Sequence, residues 1–153
     1  MIFVNTTKQK LFIIRANQVI FESSISSSMF GLGCLSDSNK TPTGLHVVAS
    51  MIGNKLPAGT LFKNRIPTTR IINKIPKDNN DYITSRIIRL SGLEDGLNKG
   101  GNVDTFNRYI YIHGTPHIDK LGSPESHGCI RMSDKDVIEL FNLIAHKEIV
   151  LID

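Results

Sequence analysis

Phe106-Asn-Arg-Tyr109-Ile110-Tyr111-Ile112-His113 sets two tyrosines against two isoleucines with a period of two, the pattern of a strand with two different faces, and it ends in a histidine. The same β signal recurs on either side. Upstream, Arg86-Ile-Ile-Arg-Leu90 reads as a strand, and Gly92 to Gly101 is a Gly-rich loop joining it to the tyrosine stretch. At the start of the chain Lys10-Leu-Phe-Ile-Ile-Arg15 and Val19-Ile-Phe21 form a hairpin around Ala16-Asn-Gln18. Between them lies a long loop region with a serine run from Ser23 to Ser28 and a turn cluster from Ser36 to Gly44, followed by a short strand, His46 to Ala49. Residues 53 to 81, with Pro57, Pro67 and Pro76, predict short strands and excursions rather than helix. Downstream, Ser133 is a good N-cap, Asp134 and Asp136 suit the positive end of a helix dipole, and Val137, Leu140, Phe141 and Ile144 share one face, so a helix is expected over about 134–145. Glu148 to Asp153 closes the chain as a strand. The expectation is a single mainly β domain spanning 1–153 with one supporting helix.

A chain of 153 residues, 40% hydrophobic and 21% charged, can bury a core without staples. With only Cys34 and Cys129, disulfides are not the basis of stability. The apolar runs are strand-sized, far short of the roughly 20 residues of a membrane helix, so no membrane span is expected. The net charge of +4 invites a nucleic-acid reading. The basic middle of the chain lacks the interleaved aromatics of a stacking platform, however, and carries no helix-turn-helix or finger spacing, so no nucleic-acid partner is expected.

Chemistry concentrates in His113-Gly-Thr115 and Ser126-His-Gly-Cys-Ile-Arg-Met132. A thiol attacks as thiolate, and a neighbouring imidazole can take its proton and leave a thiolate–imidazolium pair. His113 and His127 are both candidates for that imidazole. Spacing favours His113, because a residue two positions from Cys129 on an extended chain is poorly placed to reach it. Gly128 leaves room for a substrate carbonyl, with the backbone N–H groups of Gly128 and Cys129 available to an oxyanion. Arg131 suits a carboxylate. A zinc site from His113, His117, His127 and Cys129 matches no common ligand spacing, and Gly114 and Pro116 deny the helix that would bring the first two together, so neither metal nor cofactor is expected. Papain-like peptidases place the cysteine before the histidine, the reverse of the order here.

Ser126-His-Gly-Cys-Ile-Arg131, preceded by His113-Gly-Thr115, resembles the signature of the L,D-transpeptidase (YkuD-type) catalytic domain, and Lys10 to Arg15 and Lys40-Thr-Pro-Thr-Gly44 resemble that family's early strands and Thr-Pro-x-Gly segment. The resemblance implies a β-sandwich-like catalytic fold. It further implies Cys129 as nucleophile and His113 as base with its second nitrogen oriented by a carbonyl near Gly114. Ser126, His127 and Gly128 would shape the oxyanion side, and Arg131 would brace the site or meet a substrate carboxylate. The substrate it implies is a peptidoglycan stem tetrapeptide or muropeptide, cleaved between an L-configured centre and D-Ala. Because the first residues carry no export signal, the expectation is a cytoplasmic L,D-carboxypeptidase of muropeptide recycling, with water as acceptor. The alternatives are a periplasmic or cell-wall L,D-transpeptidase forming 3–3 crosslinks, and a non-enzymatic peptidoglycan-binding or structural β domain.

Overall fold

The computed structural model describes all 153 residues. Ten strands join in one curled sheet: β1 (Ile2–Asn5), β2 (Lys10–Arg15), β3 (Gln18–Ser24), β4 (Gly44–Ile52), β5 (Thr60–Lys63), β6 (Ile66–Ile71), β7 (Ile83–Gly92), β8 (Tyr111–Thr115), β9 (Ile130–Ser133) and β10 (Ile149–Ile152). The one α-helix, α1 (Asp134–Leu143), packs on β7, β8 and β9. The mainly β expectation with a single helix near the C-terminus therefore holds. No helix is long and apolar enough to cross a membrane.

The first hairpin forms where its alternation places it. Ala16 and Asn17, at φ 45° and 60°, supply the left-handed pair of a tight two-residue turn. In β2 the side chains of Leu11 and Ile13 are fully buried while Phe12 and Ile14 are less so. The strand order runs β3-β2-β1-β10-β4-β7-β5-β6, with β8 on β7 and β9 on β8. The final strand is thus internal, parallel to β1 through Ile2–Val150 and Val4–Ile152 and antiparallel to β4. Strand β6 is the outer edge, which is where Pro67 can sit without forfeiting a ladder bond. Helix α1 starts where its cap dictates, with Ser133 Oγ accepting from Asp136 N at 3.0 Å. It buries Val137 and Leu140 fully, at about 1.5–3 kcal/mol for each large side chain.

Three expectations need correction. Strand β8 begins at Tyr111, not Phe106, and continues past His113 to Thr115. Asp104 Oδ1 accepts from Asn107 N at 2.9 Å, Arg108 N bonds to Asp104 O at 3.0 Å, and Tyr109 adopts φ 56°, so local turn chemistry overrides the alternation there. The strand after the long loop is nine residues, Gly44 to Ile52, rather than four. The serine run is not free loop: Ser26 and Arg131 exchange backbone bonds at 2.9 Å in both directions, and Ser126 N bonds to Ser27 O at 2.9 Å.

Candidate functional site

Strands β8 and β9 lie parallel with Ile112 opposite Ile130, His113 opposite Arg131 and Gly114 opposite Met132. Because side chains alternate along a strand, one set, Ile112, Ile130 and Met132, enters the main core with no exposed surface. The other set, Tyr111, His113 and Arg131, emerges on the opposite face. Cys129, one residue before β9, joins this second face and packs beside Tyr111, Phe62 and Ile87. The sheet's period thereby brings together residues from the two motifs that the sequence singled out.

The thiol is half-buried and held by backbone. Tyr111 N–H donates to Cys129 Sγ at 3.4 Å, and Sγ lies 3.6 Å from Tyr109 O, to which it can donate. His113 is 1% exposed. Its Nδ1 lies 2.8 Å from the carbonyl of Gly114. A carbonyl only accepts, so Nδ1 carries the proton and Nε2 keeps a lone pair with no partner. Gly114 permits close packing behind the imidazole: a Cβ there would come within 2.5 Å of Thr84 O and of Asp134 Oδ1.

Burial pushes the Cys129 thiol up from 9.0 to about 12, against the opposing pull of the Tyr111 N–H. Burial likewise lowers His113, with Asp81 and the Gly114 carbonyl working in the other direction. The resting site is therefore a neutral thiol and a neutral imidazole, and no hydrogen bond links them. Both shifts disfavour the thiolate–imidazolium pair argued from sequence.

The loop before Cys129 is clamped from three sides. Met29 N bonds to Ser126 O at 3.0 Å, Ser126 Oγ donates to Cys129 O at 2.6 Å, and Thr41 Oγ1 donates to Gly128 O at 3.0 Å. Gly128 sits at φ 127°, a conformation reserved for glycine. Its N–H reaches Ser126 Oγ at 3.3 Å, whereas the N–H of Cys129 makes no hydrogen bond and remains available to a developing oxyanion. Thr41 belongs to the Thr-Pro-Thr-Gly segment, which here supports the nucleophile loop.

His127 does not approach the thiol as a base. Its side chain is half-exposed, tilted against Phe30, with Nδ1 3.6 Å from Asp81 Oδ2. Arg131 is 2% exposed, donating to Asp81 Oδ1 at 3.4 Å and to Ser26 Oγ at 3.0 Å, which makes it a brace behind the site. Asp81 and Ser26 were invisible as site residues in the sequence, since each acts on partners 46 or more positions away. The turn holding Asp81 is itself pinned, with His117 Nε2 3.0 Å from Asn80 O and the His117 ring stacked on Tyr82.

Two cavities border the site. One of about 440 Å³ is lined by Phe62, Lys63, Arg70, Asp81, Tyr82 and Ile83 among others. The second, about 280 Å³, lies between Ser36, Asp37 and Asn39 on one side and Arg108, Tyr109 and His127 on the other.

A family model described as YkuD, L,D-transpeptidase catalytic domain, matches residues 1–152. Among solved structures, the L,D-transpeptidase LdtMt1 in complex with imipenem is similar, with a TM-score of 0.62 at 15% identity, covering 99% of this chain and 57% of that one. An L,D-transpeptidase from Mycobacterium smegmatis gives 0.60 at 14%, covering 99% and 57%, and that of Enterococcus faecium, solved as a cysteine-to-serine mutant, gives 0.60 at 16%, covering 99% and 48%. At these identities the likeness is one of fold, and the chain spans about half the length of those proteins. No curated protein matches the sequence.

Proposed function

This chain belongs to the L,D-transpeptidase catalytic-domain (YkuD) family and is an enzyme of that family, and from that premise we propose that Cys129 is acylated by a peptidoglycan stem tetrapeptide with release of D-Ala. The observation that carries the reading is the register of β8 and β9, which puts Cys129 and His113 on one face with His113 Nδ1 bonded to the Gly114 carbonyl.

The S–H proton passes to His113 Nε2 as sulfur attacks the carbonyl of the L-centre that precedes D-Ala. The oxyanion meets the free N–H of Cys129, joined by that of Gly128 once it leaves Ser126 Oγ. Collapse breaks the C–N bond, His113 returns the proton to the departing amine, and a thioester remains. Water is the acceptor we assign first, because it needs no second binding site, and its attack with His113 as base yields tripeptide. An amine of a second stem in place of water would give a 3–3 crosslink.

The test is mass spectrometry of the protein and products after incubation with a defined disaccharide tetrapeptide, with and without an excess of D-amino acid acceptor. Tripeptide as the main product in both, with a thioester adduct on Cys129, supports the carboxypeptidase reading. Exchange or crosslinked dimer as the main product moves the assignment to transpeptidation. Turnover by Cys129→Ala would refute both.

A further inference from the structure

The two backbone groups that hold the Cys129 thiol belong to residues whose side chains hold a single guanidinium. Tyr111, whose N–H donates to Sγ, accepts on its hydroxyl a hydrogen bond from Arg65 Nη1 at 3.1 Å. Tyr109, whose carbonyl lies 3.6 Å from Sγ, offers its ring face to Arg65 at 4.8 Å from the centroid. Arg65 arrives from a distant part of the chain, the tip of the β5–β6 hairpin, where Asn64 and Arg65 take φ 49° and 67°. Asparagine is at home in such a turn, but the second position ordinarily favours glycine. An arginine there carries a cost of about 1 kcal/mol or more, and its side chain is delivered to the two tyrosines whose backbone holds the nucleophile.

Arg65 is half-buried and forms no ion pair; the carboxylates that do pair, Glu22, Asp81, Asp95 and Glu148, take other partners. Its neighbours are differently engaged. Arg131 is buried against Asp81, Arg108 donates to the carbonyls of Gly33 and Lys40, and Arg89, which also lies over Tyr109, donates to Phe106 O. Among the guanidiniums around the thiol, Arg65 combines a ring-stacked face with an edge that has donors to spare. A stacked guanidinium with a free edge is the arrangement that grips a carboxylate.

We infer that Arg65 is the receptor for a substrate carboxylate next to the carbonyl that Cys129 attacks. Resting on the function proposed above, that group is the terminal carboxylate of the leaving D-Ala, which lies one residue beyond the scissile bond. The cationic partner that sequence reasoning sought in Arg131 is supplied by the hairpin instead.

A pair of alkylating agents tests this without any peptide. Iodoacetate and iodoacetamide attack the same thiolate and differ in charge, so the ratio of their rates at Cys129, read by peptide mapping at pH 9 and low salt, reports the positive field around the thiol, to which Arg108 and Arg131 also contribute, and its change on substitution isolates the share of Arg65. Any change in thiol ionisation cancels in that ratio. Arg65→Ala should lower the iodoacetate-to-iodoacetamide ratio about five- to tenfold, Arg65→Lys should retain part of it, and Arg89→Lys should leave it near the wild-type value. An iodoacetamide rate close to wild type shows that the variant site is folded. A ratio unchanged in Arg65→Ala overturns the inference.

Two peptides then locate the carboxylate. A tetrapeptide ending in D-alanine amide should be processed by wild type as poorly as the free acid is by Arg65→Ala, and Arg65→Ala should not slow it further. Equal damage by Arg65→Ala to both peptides would overturn the assignment to the terminal carboxylate. If wild type turned over neither peptide, the proposed function would fall, while the alkylation ratio would still decide the role of Arg65.

Discussion

The ionisation of Cys129 is the point at which structure and sequence argue for different behaviour, and alkylation across pH separates them. Burial moves the thiol from 9.0 to about 12, a penalty of about 4 kcal/mol on the thiolate. At pH 7 that lowers the thiolate fraction about a thousandfold below that of an unperturbed thiol. A more basic thiolate is intrinsically more nucleophilic, and a Brønsted slope of roughly 0.4–0.5 over three units returns about fifteen- to thirtyfold. The net expectation is labelling by iodoacetamide about thirty- to sixtyfold slower than for a free thiol of ordinary pKa, rising about tenfold per pH unit beyond pH 10 with no plateau. His113 is not among the groups that set the shift. His113→Ala should therefore leave the slope intact while turnover falls about 10²- to 10⁴-fold, the range for loss of a general base. Peptide mapping distinguishes Cys129 from Cys34. A labelling profile that levels off below pH 9, or a plateau that vanishes in His113→Ala, would refute this reasoning and restore a resting thiolate–imidazolium pair.

Gly114→Ala should destabilise the protein by about 1–3 kcal/mol in urea denaturation, because its Cβ would meet Thr84 O and Asp134 Oδ1 at 2.5 Å. It should also reduce turnover by shifting the carbonyl that orients His113, and a loss under 0.5 kcal/mol with full activity would contradict that account. A second prediction concerns His46, fully buried with Nδ1 3.0 Å from Gly44 O and Nε2 3.1 Å from Thr105 Oγ1, and lowered by burial to about 4. As pH falls, the unfolded chain takes up this proton near 6.5 and the folded one only near 4, so stability is complete above 6.5 and declines through that window by about 3 kcal/mol. Comparison with His46→Gln isolates the effect, and equal pH slopes in the two proteins would remove His46 as its source.

The parts of the fold legible in sequence were those governed by local rules. The β2–β3 hairpin follows from alternation and a two-residue turn, and α1 from Ser133 and a one-faced apolar stripe. Strand β1 was missed because Ile2–Asn5 is too short to show a period and takes its place from parallel pairing with β10. Tyr109 reads as strand in sequence but is not, because Asp104 takes up the backbone N–H groups of Asn107 and Arg108 just before it. In the site, Cys129 and His113 were conspicuous because each sits in a dense polar motif. Asp81, Ser26 and Arg65 have no such surroundings, and their positions beside the motifs are products of tertiary pairing alone. Arg131 is expected from sequence either to brace the site or to meet a substrate carboxylate, and burial, which a single sequence does not report, favours the brace.

The neutral resting pair also bears on how the enzyme would be switched on. A thiol whose thiolate is disfavoured by burial is shielded from small oxidants and alkylators, since these act on the thiolate. A substrate carbonyl seated on the free Cys129 N–H changes the balance, because negative charge then leaves sulfur for an oxygen that has donors waiting. His113, lowered by burial but with Asp81 and the Gly114 carbonyl favouring its charged form, can accept the proton as that charge develops. Under the proposed acylation, the proton transfer would then accompany bond formation rather than precede it. On this reading the same burial that makes Cys129 a poor target for iodoacetamide at neutral pH makes it selective for an acyl donor able to fill the site, and the clamp of Thr41, Ser126 and Met29 on the loop is what keeps the N–H of Cys129 aimed while the pair is at rest.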